Sequence, residues 1–180
     1  MKSEYQRKRY WGRGLVGWKS FDDLNPNDGH YAIAQLEATG YLGVDMEDRR
    51  DFYNDDDLEW NFTSGHRRLA LVTQNVDTLH RRAGSQHLME LHGRTDRCRC
   101  MQCGTFRDRR SFHEELTKLN YEWLQEALQS TSQDDMRADG DAAVKTEDYN
   151  IIQVPPCTHC GGFMKPDVTF FGDVSIQQGG

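Results

Sequence analysis

The chain has 180 residues, enough for one hydrophobic core or for a core with a small satellite. Its 22 Lys and Arg against 29 Asp and Glu give a formal charge of -7, which argues against a general nucleic-acid binder. No apolar stretch approaches the roughly 20 residues that a bilayer-crossing helix needs, and the opening MKSEYQRKRYW leads into no apolar run of the kind an export signal requires.

In chain order, the first residues are rich in Arg and Lys, like a mitochondrial presequence, but Trp11, Val16 and Trp18 read as core residues of a folded segment. NPNDGHYAIAQLEATG reads as a helix with Asn27 as N-cap, Ile33 and Leu36 on one face and Gly40 as the stop. Residues 45–65 are acidic, aromatic and aperiodic, and read as an inserted loop. LALVT, at residues 69–73, is a short continuous apolar run, the pattern of a parallel strand covered on both faces. Phe112, Leu116, Leu119 and Trp123 recur at helical spacing and read as core. The polar residues 130–149 read as disordered, and VTFFGD, just beyond Pro166, reads as a last strand.

The apolar run LALV leads into Thr73, Gln74, Asn75, Val76 and Asp77. Burial of a strand needs only apolar side chains, so two amides and a carboxylate at its C-terminal end suggest a ligand site, where open parallel sheets bind their ligands. ELHGR contains His92, and a histidine side chain can take a proton from a hydroxyl held within hydrogen-bond reach. A lone histidine is more commonly a plain surface or core residue. Between Arg67 and Arg110 stand ten arginines and four acids, which would favour an anion if they line a site and otherwise solvate a surface.

Four of the five cysteines form two spaced pairs, Cys100 with Cys103 in CMQCG and Cys157 with Cys160 in CTHCGG. A Cys-x-x-Cys turn puts two thiolates on one side of a tight loop, and the glycine after it lets the backbone curl beneath a metal. Two such knuckles predict one tetrahedral structural zinc. Cys98 has the wrong spacing to join the first knuckle and His159 should point away from the metal, so neither is expected to bind it.

TQNVDTLHRRAG, ELHG, the two CxxCG knuckles and KPDVTFFGD, in this order, resemble the sirtuin family. RKRYWGRGLVGWKSF followed by NPNDGHYAIAQLE is similar to the class II branch of that family, which has mitochondrial members. The resemblance implies an α/β fold: a partial Rossmann-like parallel sheet with a small zinc-ribbon domain and helical segments. The expected organisation is a helical segment at 1–44, the acidic insertion at 45–65, an NAD-binding segment at 66–95, the zinc-ribbon domain at 96–165, and a substrate loop with a divergent tail at 166–180. It further implies that Gln74, Asn75, Val76 and Asp77 surround the nicotinamide and ribose of NAD. His92 would be the general base, while Val168, Phe171 and Gly172 would lie along an acylated lysine peptide.

The activity so implied is NAD-dependent protein deacylation or ADP-ribosyl transfer, in which the acyl-lysine carbonyl oxygen attacks the ribose carbon and nicotinamide leaves. NAD and an acylated protein lysine are the expected partners, with no nucleic acid and no membrane, in the mitochondrial matrix. The family pattern also has a Gly-rich phosphate loop before the first residues of this chain and further strands after Asp173. The expectation is therefore an internal fragment. The alternative is a catalytically silent zinc-ribbon module that binds a protein.

Overall fold

The computed structural model describes residues 3–45, 68–132, 141–144 and 148–170. The chain forms two compact units, one from Met1–Leu24 with Gly93–Gly180 and the other from Asn25–His92.

The first unit opens with helix α1, Glu4–Asp22. Ser3 caps it by accepting from the Gln6 N–H while the Gln6 side chain accepts from the Ser3 N–H, so two donors that a helix start leaves unpaired are satisfied reciprocally. Trp11, Leu15 and Trp18 fall one and two turns apart on the buried face, as expected for Trp11, Val16 and Trp18. Gly12 lets the helix approach Tyr149, whose ring would lie 2.9 Å from an added Cβ.

Strand β5 (Gly93–Cys100) is the centre of a three-stranded antiparallel sheet, with β6 (Phe106–Asp108) on one side and β7 (Met164–Val168) on the other. The last strand thus begins four residues before the expected VTFFGD and contains Pro166, opposite Cys98. An edge strand tolerates proline because one row of its N–H groups has no ladder partner to serve. The Trp11 indole N–H donates to the Met164 carbonyl at 3.2 Å and ties α1 to this strand.

Helices α4 (Arg109–Leu119) and α5 (Tyr121–Ser130) follow β6. Asn120 separates them and is buried: its Nδ2 donates to the Leu116 and Gln153 carbonyls at 2.7 and 2.8 Å, and its Oδ1 accepts from the Gln153 N–H at 2.8 Å. This break corrects the predicted apolar stripe. Phe112 and Leu116 are buried from α4 and Trp123 from α5, while Leu119, at the end of α4, is 43% exposed.

The expectation of disorder over 130–149 also fails where the chain is described. Ala142 and Tyr149 are in the core and Arg13 pairs with Asp141. Two apolar anchors against α1 suffice to hold a segment whose average composition is polar.

Arg109 is only 2% exposed, with its guanidinium 4.6 Å from the Trp11 ring and 4.9 Å from the Trp18 ring, so two aromatic faces replace water around the cation. His113 packs beside Trp18 at 4.7 Å. Burial, then the nearby Arg109, pushes the His113 imidazole from 6.5 down to about 4, with Asp22 and Lys19 acting in opposite directions.

The second unit contains α2 (Asp28–Ala38), capped reciprocally by Asn27 and His30 and ended at Gly40 with φ 77°. The predicted N-cap and stop are both in place. Strands β1 (Val44–Asp45) and β2 (Arg68–Leu69) form a short antiparallel pair. Strands β3 (Leu71–Thr73) and β4 (Leu88–Glu90) pair in parallel, with α3 (Leu79–Arg82) on the connection between them.

The parallel strand was expected to be covered on both faces, yet Val72 is 51% exposed. Successive side chains of a strand point to opposite faces, so the Val72 face is open while Leu71 and Thr73 are half-buried. Residues 46–67, which hold most of the predicted insertion, lie outside the described residues. Glu37 of α2 is buried, and its Oε1 accepts from the N–H groups of Gln86 and His87 and contacts the His87 Nδ1 at 2.9, 2.7 and 2.7 Å. One carboxylate oxygen thereby fixes the entry to β4.

Two stability predictions follow from these buried polar groups. Asn120→Ala removes three hydrogen bonds and leaves both backbone polar groups of Gln153 without this partner; it should lower the unfolding free energy by about 2–4 kcal/mol in urea denaturation of metal-loaded protein. Below pH 6.5 the unfolded chain takes up a proton at His113 that the folded chain refuses, so its contribution weakens stability as pH falls from 6.5 toward 4. Between pH 7 and about 5.5 the loss should be about 1 kcal/mol, after discounting for partial exposure. His113→Leu should flatten that slope, and an unchanged slope would rule out His113 as its source.

Candidate metal centre and strand-end site

Cys100 closes β5 and Cys103 follows in the turn toward β6, while Cys157 and Cys160 form a second turn just before β7. The four Sγ atoms lie within 4.8 Å of one another, with Cys100 to Cys160 at 3.5 Å and Cys103 to Cys157 at 3.7 Å. A tetrahedron with metal–sulfur bonds of about 2.3 Å has sulfur–sulfur edges of about 3.8 Å. The cluster therefore has the size and the donor chemistry of a four-thiolate zinc site.

Local backbone builds each knuckle. The N–H groups of Gln102, His159 and Gly162 each donate to a knuckle sulfur at 3.4 Å: Cys100, Cys157 and Cys160 respectively. Gly104 and Gly161 take φ of 77° and 75°, the left-handed turn that the sequence pattern anticipates. Gly162 matters for a different reason: an added Cβ would lie 2.8 Å from the Gln102 Cβ and 3.0 Å from the Cys100 Sγ.

Hydrogen bonds from Thr105, then from Cys160, pull the exposed Cys103 thiol from 9.0 down to about 5, toward the thiolate that a metal requires. Cys98 is buried and outside the four-sulfur set, and burial pushes its thiol up to about 11 despite the opposing pull of Arg109. His159 is exposed and also outside the set.

The second cluster is at the C-terminal ends of β3 and β4. The parallel register sets Thr73 opposite Glu90, and the Thr73 carbonyl accepts from the Leu91 N–H at 2.9 Å. Residues 74–77, leaving β3, and the Leu91–His92 turn, leaving β4, therefore emerge at the same end of the strand pair. Gln74 and Asn75 are exposed, and their side-chain amides have no hydrogen-bond partner among the described residues. The Asn75 N–H donates to the Thr73 Oγ1 at 3.0 Å. Val76 and Asp77 are half-buried, and the Asp77 Oδ1 accepts from the Leu79 N–H at 2.9 Å, which starts α3.

Thr78, between Asp77 and α3, has φ 62°, alone among the described non-glycine residues in taking a positive φ. A β-branched residue in that region is strained, and such strain concentrates where a turn is held for function. Nothing in the sequence marks Thr78. His80, the second residue of α3, packs at a tilt against His30 at 4.6 Å, and burial followed by His30 lowers its imidazole below the ordinary value. Arg81 pairs with Glu90 at 2.9 Å across the same connection.

His92 is exposed in its turn, with its ring open to solvent. The glycine after it is required by packing: Gly93 has φ 78°, and an added Cβ would lie 2.1 Å from the Asp167 carbonyl oxygen. Of the residues expected along a peptide, Val168 ends β7 opposite Gly93, while Phe171 and Gly172 lie outside the described residues. The two amides and the carboxylate can donate to and accept from a carboxamide and sugar hydroxyls, so the donor set fits the nicotinamide riboside part of NAD.

The model of the Sir2 family matches residues 59–178. Among curated relatives, the NAD-dependent protein deacetylase 2 of Bradyrhizobium diazoefficiens is 40% identical over 173 residues, covering 96% of this chain and 52% of that protein. The human NAD-dependent protein lipoamidase sirtuin-4, mitochondrial, is 39% identical over 167 residues, covering 93% and 43%. The chain thus spans about half the length of these relatives. A solved structure of Sir2Tm bound to a propionylated peptide shares the fold, with a TM-score of 0.53 at 21% identity over 93% of this chain and 46% of that one.

Elemental analysis of purified protein should find one zinc per chain. Cys157→Ser should abolish it and Cys98→Ser should retain it; the reverse pattern would reassign the ligands. Chelation should unfold the ribbon, since structural zinc sites contribute about 10–16 kcal/mol in peptide systems.

Proposed function

Because the chain belongs to the Sir2 family, we propose that it serves NAD-dependent removal of acyl groups from protein lysines, with His92 as the general base. NAD supplies a ribose carbon whose nicotinamide is a ready leaving group. This chain's own residues would hold and orient it.

The observation that supports the reading is the parallel β3–β4 pair, from which residues 74–77 and the His92 turn emerge side by side. Asn75 and Gln74 would hydrogen-bond the carboxamide, and Asp77 would accept from a ribose hydroxyl. Val76 would cover the apolar ring face. His92 would take the proton of a ribose hydroxyl as that oxygen attacks the acyl carbon. An imidazole nitrogen is a suitable acceptor for that proton, and the exposure of His92 lets the proton pass to water.

The acyl-lysine peptide would add as a strand beside β7, an outer strand of the three-stranded sheet. Val168, Phe171 and Gly172 would contact it. Zinc would hold the ribbon together and take no part in the reaction. ADP-ribosyl transfer to a protein uses the same ribose carbon and is proposed as a secondary outcome. Relatives of similar identity include bacterial and mitochondrial proteins, so similarity does not select a compartment.

The test is release of nicotinamide and loss of the acyl group from an acyl-lysine peptide, measured together with NAD binding by calorimetry. His92→Ala should lower turnover by about 10²- to 10⁴-fold with little change in NAD affinity. Asn75→Ala should weaken both binding and nicotinamide release. Zinc content should be unchanged in both. A zinc-loaded parent chain that neither binds NAD nor releases nicotinamide would sink the enzymatic reading and leave the silent zinc-ribbon module in its place.

A further inference from the structure

The first unit contains a cavity lined by none of the four cysteines, bordered on one side by Gly161 and Gly162 of the second knuckle. It has a volume of about 340 Å³ and lies between the first turns of α1 and the segments 152–156 and 161–164. That is near the lower end of the roughly 300–1,000 Å³ typical of small-molecule sites. Its floor is apolar, made by Ile152, Val154 and Met164, with the half-exposed Phe163 as one wall.

Charge on the rim is uneven. The Lys8 ammonium is committed, donating to the Asn150 carbonyl at 2.7 Å and pairing with Glu4 at 3.3 Å. Arg7 is different. Its guanidinium lies 4.6 Å over the Phe163 ring and has no carboxylate partner among the described residues. Glu4 and Lys8 offset each other, so the rim carries one unneutralised positive charge above an apolar floor. A guanidinium stacked on a ring by one face still presents its in-plane N–H groups as a fork that matches a carboxylate.

We infer that this cavity is a binding site for a small amphipathic carboxylate, with the carboxylate on Arg7 and the hydrocarbon tail against Val154 and Phe163. Neither group alone would select such a ligand. A bare cation attracts any anion and a bare apolar wall attracts any hydrocarbon, whereas the pair together favours a molecule with one charge and a short tail. The inference does not depend on the proposed deacylation, because none of these residues belongs to the strand-end site.

The probe is hexanoate, titrated into zinc-loaded, isotope-labelled protein and followed by amide chemical shifts, with acetate and 1-hexanol as partners lacking the tail or the charge. Hexanoate should give saturable shifts at Arg7, Val154 and Gly162 and bind at least about tenfold more tightly than either control. Arg7→Gln should weaken hexanoate by about tenfold or more and leave 1-hexanol unaffected. Arg7→Lys should recover part of the loss. Val154→Glu, which puts a carboxylate on the floor, should abolish hexanoate binding; should it fail to fold, the Arg7 variants, altered at the rim, decide the matter. Equal binding of 1-hexanol and hexanoate, equal binding of acetate, an Arg7→Gln protein of parental affinity, or no saturable shift at these amides would each overturn the site.

Discussion

Everything in the first unit depends on the convergence of four sulfurs from two turns more than fifty residues apart in sequence. Cys100 meets Cys160 and Cys103 meets Cys157, so the cluster closes a loop that carries α4, α5 and the segment up to Pro156. Closing a long loop costs conformational entropy, and the sheet here is only three short strands. Metal binding offsets that cost where the hydrophobic core is small. Once the two knuckles are joined, β7 is delivered to β5 in register, and Gly162 is forced against Gln102 and the Cys100 sulfur.

Around this joint, buried polar side chains tie together segments distant in sequence. Asn120 closes three hydrogen bonds between the end of α4 and Gln153. Arg109 is buried between two tryptophans of α1, so the same cation links α4 to the helix that covers it. Burial first and then the Arg109 charge keep His113 neutral at ordinary pH. A single helix, α1, thus packs on the sheet through Trp11, on α4 through the tryptophan pair, and on the 141–149 segment through Arg13 and Gly12.

The second unit solves a different problem. Among the described residues its parallel sheet is two strands of three residues each, and Glu37 adds a side-chain acceptor for the backbone just before β4. The far ends of the strands are then free to carry polar groups, among them Gln74, Asn75 and His92, whose side chains point to no internal partner. The strained turn at Thr78 and the Asp77 bond to Leu79 fix the direction in which that loop leaves the sheet.

Much of this was determined by the sequence alone. The doubled CxxCG spacing specifies a four-sulfur site because two tight turns can present their thiolates in few other ways, and Asn27 with Gly40 brackets α2 because capping is a local interaction. The motif order identified the family for the same reason: each motif is short and contiguous. What needed tertiary structure was whatever depends on residues distant in sequence. The burial of Ala142 and Tyr149 inside a polar stretch, the exposure of Val72 in an apolar run and the break of the apolar stripe at Asn120 all turn on which neighbour faces them. Hydrophobic periodicity reports only the face a segment offers. Whether that face is covered, and by what, is decided when the chain closes on itself.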